Sequence, residues 1–583
     1  MRRTPRPDLL PRLHPLPTWV SVVDTQRAPE ADQRPRRGAA THFKRYGILY
    51  AIVAILAVVV VAFPSVGGDD DDADGAANVD TGTSARTDDG QVGWRPASGD
   101  VKVGEGTTRG GVACEDGFGQ IPDTAYALPC VAAFAGDNGG ATTRGVTPDT
   151  VKIVRRSFPT SANSQAIDQG LRDAGFATDE EADSIRDRFI SYLDENYELY
   201  GRKIEWIDYE SQFSNATQEA LGAGREGACA DVTRIVEEIG AFAATGGSGN
   251  FAECAAEREL LVFQGAAYFS ETFYRSHHPH VWNTAMECER ISAHLAEYIG
   301  KRLAGKPAVH AGSAAVAAST RSFATYVPDN DEYQRCTRIT EQTLQAEYGV
   351  DAGPRYNYQL DISRFQQQAL EAVIQFKAAE VTTLVLAADP FSTMFLTQAA
   401  DEQDWHPEWL LIGVAGTDTD QFGRAYSAEQ VEGHMFGLSQ LSDTGAIFGA
   451  SGEPGALLRK LDGTDIPNGT TGDLYSLVHI YNFLQAAGPD LTAGNIAMGV
   501  QTLPPLGEPD RPVGLWHYAI GSDGGPEGDH TAVDDSREVY WDPAAPSVDE
   551  PGKVGRWVAT YDGKRFRNGE WPEEDPPVYS DAA

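Results

Sequence analysis

The feature that most constrains the fold is an alternation of short apolar strands and amphipathic helices that begins near Gly145. In its first half, the predicted strands cover 151–154, 203–209, 241–244 and 260–263, and the predicted helices between them cover 181–199 and 228–239. Strands that alternate with helices are typical of a parallel sheet covered by helices on both faces.

The same alternation continues over a second stretch of similar length. The predicted helices here cover 285–303, 331–348, 363–379 and 391–403, and the predicted strands cover 323–327, 383–387 and 409–413. A chain of 583 residues is also too long for one compact core. The sequence therefore predicts an α/β protein with two doubly wound, parallel-sheet lobes.

The flanks of this region differ from it in composition. Residues 1–45 form a basic tail with ten Arg and Lys against four acidic residues, so the rest of the chain is more negative than the total charge of −38. A surface this acidic repels phosphates, and we expect no nucleic-acid partner. Residues 64–110 are rich in Asp, Gly and Thr, which predicts a disordered linker. Residues 541–583 are an acidic C-terminal tail rich in Trp and Pro, for which packing against a lobe is an open alternative.

An uncharged apolar run at residues 46–63 follows the basic tail. As a helix it spans about 27 Å, close to the thickness of the bilayer hydrocarbon. Basic residues precede it and Asp69–Asp72 follow it, so the positive-inside rule predicts a transmembrane signal-anchor with a cytoplasmic N-terminus and an extracellular C-terminal part. A signal peptide cleaved near Ala62, which would give a secreted protein, is the alternative. No cysteine ends the run, which excludes the bacterial lipoprotein route.

The six cysteines include no CxxC pair and no spacing typical of a zinc site. An even number in an exported chain predicts three disulfides. Proximity along the chain favours Cys114–Cys130, Cys229–Cys254 and Cys288–Cys336, although six cysteines allow fifteen pairings and buried free thiols are the alternative. The first pair would staple a small segment at residues 111–144.

Four segments occur in an order and spacing typical of one family. They are GVTPDTVKI at 145–153, GGS at 246–248, RFQQQALEAVIQFKAAEVTTLVLAADP at 364–390 and DLYSLVHIYNFLQAAGPDLTAGNIAMGVQTL at 473–503. With them, residues 145–540 resemble the type I periplasmic binding proteins, the branched-chain amino acid and amide binding group that feeds ABC importers.

The resemblance implies two lobes joined by a three-strand hinge that close on a solute between them. Lobe I would comprise about 145–284 and 439–510, lobe II would comprise about 285–438, and 511–540 would return to a lobe. The general rule for open α/β sheets agrees, because ligands bind outside the carboxyl ends of the strands.

The resemblance also implies ligand-binding residues in the turns at those strand ends. They are Ser157 and Thr160, Gly247 and Ser248, Ala266, Ala267 and Tyr268, Glu287, Tyr333, and Asp389 and Phe391. Local structure offers alternative roles for three of these residues. Ser248 would sit in an ordinary strand-to-helix turn, Asp389 would cap a helix, and Glu287 would be a solvated acid in a first helical turn.

One position departs from the family pattern. Branched-chain amino acid binders carry a carboxylate just after the strand that here reads LLIGVAG, whereas this chain has Ala415 there and its nearest acid is Asp418. We therefore expect a small polar solute that is amino acid-, amide- or carboxylate-like, without assuming a branched-chain amino acid.

No P-loop, GxSxG, HExxH or Rossmann fingerprint occurs, so we expect a protein that is not an enzyme and needs no cofactor. The SHHPH segment at 276–280 suggests a metal site, but no acid or cysteine converges on it in sequence, and we expect a loop there instead. The predicted function is capture of a small-molecule solute and its delivery to an ABC permease complex. A membrane-anchored sensory domain on the same fold is the alternative, and a hydrolase that uses the cleft is a third hypothesis.

Overall fold

The computed structural model describes residues 94–114, 119–159, 177–214, 219, 224–265, 268–441, 452–466, 470–503, 505–506, 516–520, 530–547, 552–574 and 576. No helix in these ranges is long and apolar enough to cross a membrane. The basic tail at 1–45 and the predicted signal-anchor at 46–63 lie outside the described residues.

Lobe I is built on a five-stranded sheet in which all neighbouring strands are parallel. In chain order its elements are β1 (Thr150–Ser157), α1 (Asp179–Asn196), β2 (Lys203–Glu210), α2 (Arg225–Arg234), β3 (Ala243–Thr245), α3 (Gly249–Glu257), β4 (Leu261–Phe263), α4 (Glu271–Ser276) and β5 (Val281–Trp282). The strand order is β2-β1-β3-β4-β5, so the direction of winding reverses at β1, as in doubly wound sheets.

Local signals explain where the first helix begins. Thr178 and Glu181 form a capping box, because the Thr178 hydroxyl accepts from the Glu181 amide and the Glu181 carboxylate accepts from the Thr178 amide. The buried face of α1 consists of Ile185, Phe189 and Leu193, at the spacing that brings side chains to one side of a helix.

Lobe II is built on a larger sheet. Its elements up to the return to lobe I are α5 (Cys288–Tyr298), α6 (Ala314–Ala317), β6 (Phe323–Pro328), α7 (Asp331–Thr343), β7 (Arg355–Tyr358), α8 (Ile362–Ala378), β8 (Thr383–Leu386), α9 (Pro390–Glu402), β9 (Glu408–Leu411), α10 (Asp420–Ala425), α11 (Ala428–Val431) and β10 (Met435–Ser439). The strands β7-β6-β8-β9-β10 are parallel neighbours in that order. Three helices end in a π-helical turn, α2 at Ile235–Ile239, α5 at Ile299–Leu303 and α7 at Leu344–Tyr348.

After β10 the chain contributes three helices to the core of lobe I and then three strands to lobe II. They are α12 (Glu453–Asp462), α13 (Thr471–Ala487) and α14 (Ala493–Gln501), followed by β11 (Asp535–Pro546), β12 (Val554–Ala559) and β13 (Arg565–Arg567). β11 is antiparallel to β10 and is itself flanked by β12 and β13. The topology of the described strands confirms the prediction of two α/β lobes with parallel sheets, and lobe II adds an antiparallel extension.

The antiparallel extension corrects the predicted C-terminal tail. The boundary at 540 falls inside β11, and β12 and β13 belong to the same sheet as the parallel strands. Trp541 and Trp557 are buried and their rings lie edge to face at a centroid distance of 5.3 Å. The tryptophans that give this segment its unusual composition are therefore core residues of lobe II.

Residues 94–144 also pack more closely than their composition predicts. Trp94, within the predicted linker at 64–110, is buried, and its indole nitrogen donates to the carbonyl of Gly499 in α14 at 3.0 Å. Leu128 and Val131, within the predicted small segment at 111–144, are fully buried in the core that contains α13. Both stretches therefore form part of lobe I in the residues that are described.

The two lobes are joined by segments that run side by side. Residues 283–287 lead from β5 to α5, and residues 530–535 lead into β11. The amide of Asn283 donates to the carbonyl of His530 at 3.0 Å, and the amide of Val533 donates to the carbonyl of Thr284 at 3.1 Å. The third connection, from β10 to α12, includes residues 442–451, which lie outside the described ranges.

Three disulfides link elements within the molecule. Cys114–Cys130 closes the loop over lobe I, Cys229–Cys254 joins α2 to α3, and Cys288–Cys336 joins α5 to α7. These are the pairs that proximity along the chain favours. No free cysteine remains among the six.

Candidate functional site

The candidate site lies where the strands of both sheets end. In lobe I, β1, β3 and β4 end at Ser157, Thr245 and Phe263, and the parallel register brings these ends to one edge of the sheet. In lobe II, β6, β8, β9 and β10 end in the same direction. Most of the residues predicted to bind the solute therefore fall on two edges. Three of them, Thr160, Ala266 and Ala267, lie outside the described residues.

The turn after β3 is shaped by its small residues. Gly247 has a φ of 108°, and a Cβ there would lie 2.4 Å from the ring of Phe251. Ser248 is fully buried and caps α3, since its hydroxyl oxygen accepts from the Phe251 amide at 3.2 Å. The hydroxyl group therefore has a structural role as well as its predicted place at the edge of the sheet.

An aromatic contact joins the two lobes. Tyr268 follows β4 of lobe I with a φ of 64°, and Tyr333 lies in the first turn of α7 in lobe II. Their ring centroids are 4.5 Å apart, and both side chains are buried. Burial raises the pKa of both phenols, so both are neutral at physiological pH. The structure thus brings together two of the predicted residues.

Asp389 follows β8 and serves as the N-cap of α9, with Pro390 at the first helical position. Its carboxylate accepts from the Tyr358 hydroxyl at 2.6 Å and from the amides of Phe391 and Ser392 at 2.9 Å each. Burial raises the pKa of this carboxyl, while these hydrogen bonds act to lower it. The Phe391 side chain is buried in the core of lobe II against Phe422, at a centroid distance of 5.4 Å.

Asp418 lies beyond β9, in the turn that precedes α10. It is 2% exposed, and neither of its carboxylate oxygens has a hydrogen-bond partner among the described residues. Burial raises the pKa of this carboxyl. The nearby Ser439 hydroxyl and the charges of Arg537 and Arg565 act to lower it, but no described group makes a hydrogen bond of ordinary geometry to either oxygen. A buried charge without partners is costly, so Asp418 is the strongest candidate for contact with a ligand.

A second acceptor without a partner lies beside the end of β9. Gln440 follows β10, and its side-chain nitrogen donates to the Ser536 hydroxyl at 3.0 Å. This bond orients the amide and leaves the carbonyl oxygen of Gln440 buried without a donor among the described residues. A Cβ at Gly413, just after β9, would lie 2.2 Å from that oxygen. The close approach requires glycine at this position, whose φ is 68°.

The facing edge of lobe I offers a donor. Gln264 follows β4, and its side-chain carbonyl accepts from the Thr284 hydroxyl at 2.8 Å. The side-chain nitrogen of Gln264 is consequently oriented away from Thr284, and it is buried without an acceptor among the described residues. Gln264 was not among the residues predicted from the sequence, because a glutamine after a strand has no distinctive local pattern.

The remaining predicted residues have other surroundings. Ser157 is the exposed last residue of β1. Glu287 is the N-cap of α5 beside the hinge, where its carboxylate accepts from the Arg290 amide at 3.0 Å. Glu287 is buried, so the alternative prediction of a solvated acid is wrong. Burial raises the pKa of Glu287 to about 7, although the positive charge of Arg290 acts to lower it.

The SHHPH segment meets the hinge. His278 Nδ1 lies 2.9 Å from His530 Nε2, and His530 Nδ1 lies 2.9 Å from a carboxylate oxygen of Glu271. Since a carboxylate only accepts, Nδ1 of His530 carries a proton, and in the neutral ring Nε2 of His530 accepts from His278. Burial lowers the pKa of His278 to about 4, so His278 is a neutral imidazole at neutral pH.

Comparisons with known proteins give structural similarity only. No protein-family model matches the sequence, and no curated protein matches it either. Similar solved structures include a possible leucine/isoleucine/valine-binding protein from Rhodopirellula baltica SH 1, with 10% identity, a TM-score of 0.47, and 71% of this chain and 97% of that chain covered.

Two further structures are similar over the same extent. One is a periplasmic binding protein from Burkholderia mallei, with 12% identity, a TM-score of 0.48, and 72% of this chain and 96% of that chain covered. The other is a fatty acid ABC transporter substrate-binding protein from Thermomonospora curvata, with 13% identity, a TM-score of 0.46, and 73% of this chain and 95% of that chain covered.

Proposed function

We propose that this protein binds a small polar solute between its lobes, and that the solute presents a protonated amine or another strong donor to Asp418. The observation that carries this proposal is the buried Asp418 carboxylate with two oxygens that lack partners among the described residues. Leaving a buried polar group without a partner costs about 1–3 kcal/mol. A ligand that supplies the missing donor recovers that free energy on binding.

The two edges differ in the groups they leave without partners. Lobe II offers the acceptors of Asp418 and Gln440, whereas lobe I offers the donor of Gln264. A solute with a donor at one end and an acceptor at the other would match both edges. An amino acid or an amino acid amide has this arrangement.

Closure of the hinge would complete the site. Each lobe has its own buried core, and the connecting segments at 283–287 and 530–535 are short and paired with each other. The Tyr268–Tyr333 contact joins the lobes directly, and it forms only when their edges are close. A solute that contacts both edges would shift the population toward the closed form.

A thermal-unfolding screen of the full chain tests this proposal. The panel contains L-amino acids, their amides, their N-acetyl derivatives, urea and aromatic acids. A ligand of the folded state at 100 times its Kd adds about 2.7 kcal/mol to the free energy of unfolding. We expect at least one amine-bearing compound to raise the Tm, and its N-acetyl derivative to have no effect.

The Asp418→Ala variant provides the matched test of the site. It should fold and lose the effect of the amine-bearing compound, while Asp361→Ala, which removes an exposed carboxylate from the N-cap of α8, should retain it. If only compounds without a donor shift the Tm, or if Asp418→Ala binds as tightly as the unaltered chain, the proposed role of Asp418 is wrong.

We further propose that the solute is delivered to an ABC importer, and that residues 46–63 hold the protein on the outer face of the cell membrane. The three disulfides support an extracytoplasmic location, because such bonds persist in oxidising compartments. Protease treatment of intact cells would degrade the C-terminal part and leave a membrane-bound N-terminal fragment. Protection of the whole chain would contradict this location, and release of the whole chain into the medium would indicate cleavage.

A further inference from the structure

Three side chains from separate elements of lobe II meet far from the cleft. Asp401 lies in the last turn of α9, His406 lies between α9 and β9, and Glu429 lies in α11. One imidazole nitrogen and one carboxylate oxygen from each acid lie within 4.8 Å of one another. The distance between His406 Nε2 and Asp401 Oδ1 is 4.0 Å.

This donor set suits a zinc-type ion. Zinc binds imidazole nitrogen and carboxylate oxygen at about 2.0–2.2 Å, which places neighbouring ligand atoms on a tetrahedral ion about 3.4 Å apart. The 4.0 Å between His406 Nε2 and Asp401 Oδ1 exceeds this value by an amount that side-chain rotation can remove, and Glu429 is exposed. Calcium and magnesium prefer oxygen ligands alone, so the imidazole disfavours them.

The surroundings of these ligands hold them in place. Asp401 accepts hydrogen bonds from the Ser427 hydroxyl and, at 2.7 Å, from the side-chain nitrogen of Gln430. Hydrogen-bonded carboxylates are typical of metal sites, since the outer partners fix the orientation of the ligand. No other group of three or more His, Cys, Asp or Glu side chains converges in this way within the ranges that the structure describes.

A second imidazole lies beside the cluster. The ring of His434 is 6.1 Å from the ring of His406 between centroids. Its Nδ1 is hydrogen-bonded to the carbonyl oxygen of His310, and a carbonyl only accepts, so Nδ1 carries the proton. The Nε2 atom of His434 is therefore unprotonated in the neutral ring, which is the state in which imidazole binds a metal.

We propose that lobe II binds one zinc-type divalent cation through Asp401, His406 and Glu429. The cluster connects the amino end of β9 to α11. The proposed solute site lies instead at the carboxyl ends of the strands. The helix α9 separates the two sites, with Asp389 at its start and Asp401 near its end, about 18 Å away at 1.5 Å per residue. The ion would stabilise lobe II without contact with the solute, and the proposal is independent of the proposed function.

Titration of the metal-free full chain with Zn²⁺ by calorimetry, with thermal unfolding in parallel, tests the site. We expect one Zn²⁺ per chain and a rise in Tm. His406→Asn and Glu429→Gln should each weaken Zn²⁺ binding at least tenfold. Glu432→Gln is the matched control, because it removes the same charge three residues away from Glu429 and outside the cluster, and it should bind Zn²⁺ like the unaltered chain.

Three results would overturn the proposal. They are the absence of stoichiometric Zn²⁺ binding, equal affinity in Glu429→Gln and the unaltered chain, and Ca²⁺ binding as tight as Zn²⁺ binding, which would show attraction to a generally acidic surface. Because Glu429 is exposed, its substitution tests the site even if His406→Asn fails to fold.

Discussion

The carboxylates that follow β8 and β9 lie at neighbouring strand ends of the same sheet, yet their surroundings differ. Asp389 accepts from the Tyr358 hydroxyl and from two backbone amides. Asp418 is equally buried but has no hydrogen-bond partner for either oxygen among the described residues. Burial raises the pKa of both carboxyls, so the cost of desolvation is common to the two.

The difference separates two uses of a buried acid. Hydrogen bonds to Asp389 offset its desolvation and fix the start of α9, so its role in the free protein is architectural. For Asp418, the groups that act against desolvation include the Ser439 hydroxyl and the charges of Arg537 and Arg565, and none of them makes a hydrogen bond of ordinary geometry to its oxygens. Groups that a folded protein leaves unsatisfied are often those that meet a ligand, and the comparison therefore directs attention to the end of β9.

The largest expected effect is the loss of stability in Asp389→Ala. The variant loses the N-cap of α9, worth about 1 kcal/mol, and leaves the buried Tyr358 hydroxyl without its acceptor, at about 1–3 kcal/mol. We expect the free energy of unfolding in urea to fall by about 2–4 kcal/mol. Asp361→Ala is the control, since it removes an exposed N-cap from α8 and should cost only about 1 kcal/mol. If the free energy of unfolding fell equally in the two variants, the buried hydrogen bonds of Asp389 would add no stability beyond that of an exposed N-cap.

The next effect concerns pH and Glu287, a third buried acid, which lies beside the hinge. Its pKa rises from the ordinary value of 4.5 to about 7 because the group is buried. Between these values the folded state holds a proton that the unfolded state has lost, so this group's contribution to stability falls as pH increases from about 4.5 to 7. The full shift in the pKa of Glu287 corresponds to about 3 kcal/mol in the free energy of unfolding.

Urea unfolding at several pH values checks this expectation. Glu287→Gln cannot ionise and keeps an oxygen for the Arg290 amide, so its free energy of unfolding should vary less over that interval. The partly exposed neighbour Glu289, also in the first turn of α5, supplies the control variant Glu289→Gln, which should keep the original pH dependence. If the free energy of unfolding of Glu287→Gln varied with pH as strongly as that of the unaltered chain, Glu287 would not be the source of the pH dependence.

The sequence predicted the elements that carry a strong local pattern. The expected strand at 203–209 is β2 at Lys203–Glu210, and the expected helix at 363–379 is α8 at Ile362–Ala378. Apolar periodicity and capping residues are local, so they can be recognised without knowledge of the rest of the fold. The two-lobe architecture follows from the order of such elements.

The sequence did not reveal contacts between distant segments. Trp94 lies in a polar stretch, and its partner Gly499 is 405 residues away. The strands β12 and β13 are short, and they gain their order from pairing with β11. Composition predicts a linker and a tail in such cases, because the burial that stabilises them is supplied by another part of the chain.

The candidate site was predictable only in part, for the same reason. Turns at strand ends identify Ser248, Asp389 and the edge of the sheet, but helix capping uses the same residue types. Asp418 differs from other acids only through its burial and the scarcity of partners, which depend on β10 and on Arg537 and Arg565 from the C-terminal strands. Neither property has a local signature in the sequence.

The smallest expected effect is a gain in stability for Asp418→Asn. The substitution keeps the shape of the side chain and removes a charge that burial destabilises, so we expect about 1 kcal/mol of added stability at pH 8. Because the pKa of Asp418 is raised in the folded state, the carboxylate contributes less stability as pH increases, and the gain should shrink toward pH 4.

Asp389→Asn should instead lose stability at both pH values, since its amide group would face a hydroxyl or amide donor. Urea unfolding of both variants decides the matter. A loss in Asp418→Asn as large as that in Asp389→Asn would mean that Asp418 has partners in the folded chain, and that the free protein, not a ligand, requires its charge.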